Sequence, residues 1–98
     1  MSLESYFMPD AVEQFEDACR WYEKQAPTLL AALCDEIEKA LHRIESNPEG
    51  FAVLHKDFRH VIVRRFPYVL IYRLRPPRIE IHAVYHTHRD IDTWKRTH

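Results

Sequence analysis

Glycine is almost missing from this chain: of 98 residues, only Gly50 is one. A phosphate-cradling loop needs several glycines so that backbone N–H groups can close around the anion, so nucleotide-binding loops of that kind are excluded. Cysteine is nearly as scarce. Cys19 and Cys34 are the whole complement, too few for a disulfide framework or a cysteine-rich metal site. They flank the turn expected near Ala26 and Pro27, so they are placed to face each other across a helical hairpin. Two free thiols in a reducing compartment are the simpler reading. No apolar run nears the roughly 20 residues of a membrane-spanning helix. The N-terminus has no basic region followed by an apolar block, so a cytoplasmic location is expected. No serine stands in a nucleophile-elbow context, and the carboxylates gather on expected helices rather than pairing in the sheet. Neither a cofactor nor a metal is expected.

What is present is an ordinary globular composition with an unusual charge layout. The apolar fraction is 46% and the charged fraction 30%, which with this length suits one domain over residues 1–98. Residues 1–50 hold four Lys/Arg against eleven Asp/Glu, a balance of −7. Residues 51–98 hold ten against four, a balance of +6. The near-neutral total therefore hides a basic half, and such asymmetry points to an anionic or acidic partner.

Residues 3–8 read as a short edge strand ended by Pro9. Asp10 then stands at an N-cap position with Glu13 three residues on. Ala11, Phe15, Ala18 and Tyr22 recur on one helical face, widened by Val12 and Cys19. The helix should stop near Gln25, because Pro27 disfavours helical geometry in the residue before it. Leu30, Leu33, Ile37, Leu41 and Ile44 mark a second helix that runs to Ser46, with its start at Pro27 or Thr28. Gly50 closes that helix in a turn. From there the period falls to about two, with strands over 51–54, 59–66, 68–74 and 78–85. In the last strand, Ile79, Ile81, Ala83 and Tyr85 are expected to face the helices, and Glu80, His82, Val84 and His86 the other side. The tail from Asp90 to Arg96 suits one helical turn, with Ile91 and Trp94 packing inward. The expected class is α+β, in the order β-α-α-β-β-β, with an N-terminal helical hairpin packed on a small antiparallel sheet.

His82, His86 and His88 merit a test as metal ligands. The first two, four residues apart on one strand, stand about 13 Å from each other at ~3.3 Å per residue. Two imidazoles so far apart cannot share an ion held at about 2 Å. The cations are better candidates. Lys56, Arg59, Arg65 and Arg89 suit an anionic partner, since guanidinium groups make paired, charge-assisted bonds. His86 is suited to moving a proton, and Tyr68 or Tyr72 to stacking. Each also has a plain structural role open to it: the tyrosines as core, the arginines as guards of a sheet edge.

Several runs in order carry a family resemblance. They are Pro9-Asp10-Ala11, Arg20-Trp21-Tyr22-Glu23-Lys24-Gln25-Ala26-Pro27, the stretch from Ile44 to Pro48, Arg59, Arg65-Phe66-Pro67-Tyr68 with Ile71-Tyr72-Arg73, and His86, Arg89 and Trp94. Together they cover nearly the whole chain, which resembles the RelE/ParE toxins of bacterial type II toxin–antitoxin systems and looks closer to their ParE-like plasmid stabilization branch. The resemblance implies a compact growth-inhibiting toxin neutralised by a cognate antitoxin whose disordered segment folds on binding. ParE-like members act on DNA gyrase through protein contacts. RelE-like members resemble ribosome-dependent mRNA endoribonucleases that use lysines, arginines and a C-terminal tyrosine. Here the loop before Arg59 offers only Lys56, and Tyr85 is expected to point inward, so the gyrase reading leads. Target- or antitoxin-binding candidates are then Lys56, Arg59, Arg65, Tyr68, Tyr72, Arg73, Arg89 and Trp94. The alternative is cleavage of mRNA on the ribosome, with Arg59, Arg65 and Arg89 stabilising the phosphorane and His86 moving a proton. A non-toxic orphan of the same fold is the third reading.

Overall fold

The computed structural model describes residues 3–87 and 91–97, with side chains for all of these except 91–93. Strand β1 (Glu4–Phe7) leads into helix α1 (Pro9–Gln25), and a single 3₁₀ turn (Pro27–Leu29) connects it to α2 (Leu30–Ser46). Strands β2 (Val53–His55), β3 (Phe58–Ile62), β4 (Tyr68–Arg75) and β5 (Arg78–His86) follow, and α3 (Ile91–Thr97) ends the described chain. The five strands lie in the order β1-β5-β4-β3-β2. Neighbours from β2 to β5 are antiparallel, as the strand-turn-strand sequence requires. The exception is β1, which joins β5 in parallel; the helical hairpin between β1 and the rest of the sheet is long enough for that.

Helix α1 begins two residues earlier than its apparent cap at Asp10 predicts. Pro9 occupies the first helical position and Met8 is the cap residue, with no side-chain cap bond. Proline fits there because its missing N–H has no helical acceptor anyway. Asp10 thus sits in the first turn, where its charge suits the helix N-terminus. The far end is as expected: Ala26 leaves helical geometry before Pro27, while its N–H still reaches the Tyr22 carbonyl at 2.8 Å. Ala11, Ala18 and Tyr22 of α1 and Leu33, Ile37, Ala40 and Ile44 of α2 are buried against Leu70, Tyr72, Ile79 and Ile81 of the sheet. Val12, expected to widen the stripe, is instead 40% exposed.

One irregularity rewrites the face pattern of β5. Ile71 pairs with Ala83 but Tyr72 pairs with Ile81, so His82 is an extra residue on the β5 side. A bulge of this kind makes two residues oppose one and shifts the alternation beyond it. Ile79 and Ile81 face the helices as expected. Past the bulge Val84 faces the helices, while Ala83 and Tyr85 face away, packed with Phe58, Ile71 and Trp94. The inward placement of Ala83 and Tyr85 is therefore corrected. His82 and His86 likewise end on opposite faces. The far side of the sheet is also less open than expected, since Trp94 of α3 is 1% exposed and covers Phe58, Ile71 and Ala83. Asp90 and the side chain of Ile91 lie outside the described residues.

Candidate functional site

Two of the sequence-selected residues meet on the helix face. Arg59 and Tyr72 are directly paired neighbours on β3 and β4. The Arg59 guanidinium donates through one nitrogen to the carbonyls of Glu49 (3.1 Å) and Phe51 (2.7 Å), and the Tyr72 hydroxyl donates to the Pro48 carbonyl at 2.6 Å. Three carbonyls of one loop are thus held by two sheet side chains. The Gly50 backbone N–H bonds to Asn47 within that loop, and a Cβ at Gly50 would run into the Asn47 amide. Burial pushes the Tyr72 phenol up to about 12, against the opposing pull of Arg59.

On the opposite face, Arg73 lies over the Phe58 ring, 4.8 Å from its centroid. It also reaches Glu80 at 3.5 Å and Asp57 at 3.9 Å. Glu80 accepts from or pairs with His82 at 3.0 Å and Arg78 at 3.8 Å. The hydrogen bond to His82 holds the Glu80 carboxyl below its ordinary value, with help from the charges of His82 and Arg73 and against the effect of burial. Trp94 stands edge-on to Phe58 at 4.8 Å, beside this network. Lys56 is exposed in the β2–β3 turn, with a left-handed φ of 53°.

Tyr68 and His86 are cross-strand neighbours at the other end of β4 and β5, their rings 5.6 Å apart. They line a cleft of about 420 Å³ against α1, together with Gln14, Asp17, Trp21 and Tyr85. Gln14 accepts the Val84 N–H at 2.7 Å, so an α1 side chain covers the β5 edge beyond the reach of β1. Arg65 sits in the β3–β4 turn with φ 71°, its guanidinium 5.9 Å from the Phe66 ring centroid. Arg89 and His88 lie outside the described residues.

The candidates thus fall in four places rather than one. Arg59 and Tyr72 come together, as do Tyr68 and His86; Arg73 and Trp94 share the opposite face, and Arg65 lies in the turn that enters β4 at Tyr68. Among the described residues, no three His, Cys, Asp or Glu side chains are grouped to hold a metal ion. Cys19 and Cys34 are free thiols; burial first, then Cys34 beside it, raises the Cys19 thiol to about 11. Sequence reasoning missed Trp21 as a surface residue, though it is 55% exposed at the cleft rim. Its signal was present: a large aromatic placed off the Ala11–Phe15–Ala18–Tyr22 stripe.

The family model described as "ParE toxin of type II toxin-antitoxin system, parDE" matches residues 6–91. The chain belongs to the ParE toxin family. Toxin ParE2 of Mycobacterium tuberculosis, in the CDC 1551 and H37Rv strains alike, is 34% identical over 71 residues, covering 71% of this chain and 68% of the relative. A solved structure titled "Chromosomal ParDE TA system from P. aeruginosa" superposes with a TM-score of 0.73 over 87% of this chain and 96% of that one, at 12% identity. That likeness concerns the fold: a helical hairpin packed on a five-stranded sheet. The matched span of the ParE model runs from β1 to the start of α3, so it contains the described candidates from Lys56 to His86 and ends before Trp94. Membership in a toxin–antitoxin family implies an antitoxin partner. No helix among the described residues is long and apolar enough to cross a membrane.

Proposed function

We propose that this chain is a single-domain ParE-type toxin that works in the cytoplasm by binding DNA gyrase, and that a cognate antitoxin holds it inactive. Membership in the ParE family carries the reading. The scatter of cationic and aromatic candidates supports it, because a hydrolytic site needs its groups within hydrogen-bond reach of one reacting centre. Arg59 is committed to two loop carbonyls and pairs with Tyr72, four residues along β4 from Tyr68, the partner of His86. A protein-binding surface has no need for such convergence. The contact residues are sought among Lys56, Arg65, Arg73 and Arg89 on the rim, with Tyr68 at the cleft, Arg59 and Tyr72 shaping the loop between α2 and β2, and Trp94 seating α3.

The test uses the purified chain with purified gyrase in a supercoiling assay, run beside a cleavage assay on ribosome-bound mRNA. Supercoiling should be inhibited in proportion to added chain, and mRNA should stay intact. Replacing Arg65 by Asn, which tolerates the left-handed turn, should weaken inhibition about tenfold if that charge is desolvated in the contact. Cleaved mRNA with unaffected supercoiling would overturn the reading in favour of ribonuclease action. No effect in either assay, and no growth arrest on expression, would point to a non-toxic member.

A further inference from the structure

The arginines of this chain differ in how their charge is met. Among the described residues, Arg20, Arg73, Arg75 and Arg78 each have a carboxylate partner. Arg59 is taken up instead by two loop carbonyls; Arg43, Arg64 and Arg65 have no carboxylate among the described residues at ion-pair distance, and they share one corner. Arg43, near the end of α2, donates to the Ile62 carbonyl at 3.2 Å, at the start of the turn that carries Arg64 and Arg65. Its Nε is buried without a hydrogen-bond partner. Burial, and then the charge of Arg64, hold the Arg43 guanidinium below its ordinary value; the field of Glu36 opposes this without forming an ion pair. Like charges gathered without an ion-paired carboxylate cost stability, and sites that break local rules in this way are often ones that bind something. The corner also has an apolar element. Ile62 is 61% exposed, past the end of the β2–β3 pairing, where β3 has no strand neighbour on that side.

We propose that Arg43, Arg64 and Arg65 form a docking corner for the carboxylates of an acidic segment of a partner protein, with Ile62 receiving an apolar side chain of that segment. Guanidinium groups suit this role because each presents several N–H donors in a fork that matches a carboxylate. A nucleic acid fits the corner less well. A polyanion needs a broad basic track of many cations, whereas this corner gathers only three arginines in one helix end and one turn. An exposed isoleucine offers nothing to a phosphate backbone. The inference goes beyond the toxin reading: it concerns the chemistry of the segment that meets this corner, and it would stand for a non-toxic chain.

Fluorescence anisotropy on the full chain tests it, with three labelled probes: a short glutamate–leucine peptide, a lysine–leucine peptide of the same length, and a short single-stranded RNA. The acidic peptide should bind most tightly and weaken with added salt. Arg64→Gln and Arg65→Asn should each weaken it several-fold, and Arg43→Leu by about tenfold, as expected when a half-buried charge-assisted bond is lost. Arg75→Gln, which removes a guanidinium paired with Asp57, should leave the affinity unchanged. Melting curves identify any variant that has lost its fold, and the exposed-turn variants keep the test valid if Arg43→Leu does not fold. Equal binding of the acidic peptide by wild type and the Arg64→Gln/Arg65→Asn double variant would overturn the proposal. So would tighter binding of the RNA, or equal binding of the lysine peptide. Gyrase inhibition is measured separately, so neither result decides the other.

Discussion

The two faces of the sheet are held in different ways. The helix face is covered by α1 and α2 along its length, and its cluster is one continuous apolar body from Ala11 through Leu70 to Val84. The opposite face has a small cluster of Phe58, Ile71, Ala83 and Trp94, bordered by the Arg73–Glu80–His82 network. Burial of apolar area accounts for the first, and its strength does not depend on pH or salt in any direct way. The second combines one large aromatic from a short helix with ion pairs that respond to both. The lesson is a division of labour: one face makes the fold stable, while the other positions charged and aromatic groups on a surface that can still change.

The largest effect should come from the helix face. Leu70 is fully buried between the sheet and the hairpin, so Leu70→Ala should cost about 3–4 kcal/mol in chemical denaturation. Trp94→Ala removes a larger side chain, but from a helix of seven residues. That loss should be nearer 2 kcal/mol, and hydrogen exchange should rise first in α3 and around Phe58 while β4 and β5 stay protected. If both variants lost stability equally and exchange rose uniformly, the distinction between the faces would fail.

How far this division was legible in the sequence depended on the kind of signal. The helical stripes and the proline-marked ends were readable because period and backbone chemistry are local, whereas the strand expected over 59–66 stops at Ile62, where the turn through Arg64 and Arg65 begins. The His82 bulge was not readable either. It depends on which residue β4 sets opposite β5, and a single extra residue moved Tyr85 to the face opposite the expected one. Trp94 was expected to pack inward, but the identity of its partners required knowing that bulge. The arginines were legible as a class and not as individuals. Arg59 and Arg65 looked alike in sequence, yet the first closes a loop through backbone carbonyls and the second stands in a turn. Carboxylate partners such as Glu80 for Arg73 lie across strands, beyond any local pattern.

The next effect separates the faces by pH. Glu80 is held ionised by His82 and then Arg73, so its folded pKa lies below its ordinary value. A depressed carboxyl adds stability that is complete above the unfolded value near 4.5 and is lost as pH falls through the folded one. Glu80→Gln should therefore cost about 1–2 kcal/mol at pH 6 to 7. Its denaturation midpoint should also fall less than that of the wild type as pH drops from about 5 to 3. A wild type and variant that lose stability in parallel over that range would remove the electrostatic account of the far face.

The smallest effect lies where the helix face meets the loop that Arg59 and Tyr72 hold. Tyr72 is fully buried and its hydroxyl donates to the Pro48 carbonyl at 2.6 Å. Tyr72→Phe keeps the ring and its packing, so the cost should be only that of one hydrogen bond and a less satisfied carbonyl, about 1 kcal/mol. The sign of its pH dependence is opposite to that of Glu80. Burial raises the phenol to about 12 from an ordinary 10, so the neutral form is favoured on folding. That contribution is complete below pH 10 and fades as pH rises toward 12. The wild type should then lose more stability than Tyr72→Phe between about pH 9.5 and 11.5, while the two run parallel at neutral pH. Because Arg59 still grips Glu49 and Phe51 in the variant, the loop should keep its shape and inhibition of the target should be unchanged. A variant that kept its stability but lost inhibition would instead place the Tyr72 hydroxyl in the functional surface.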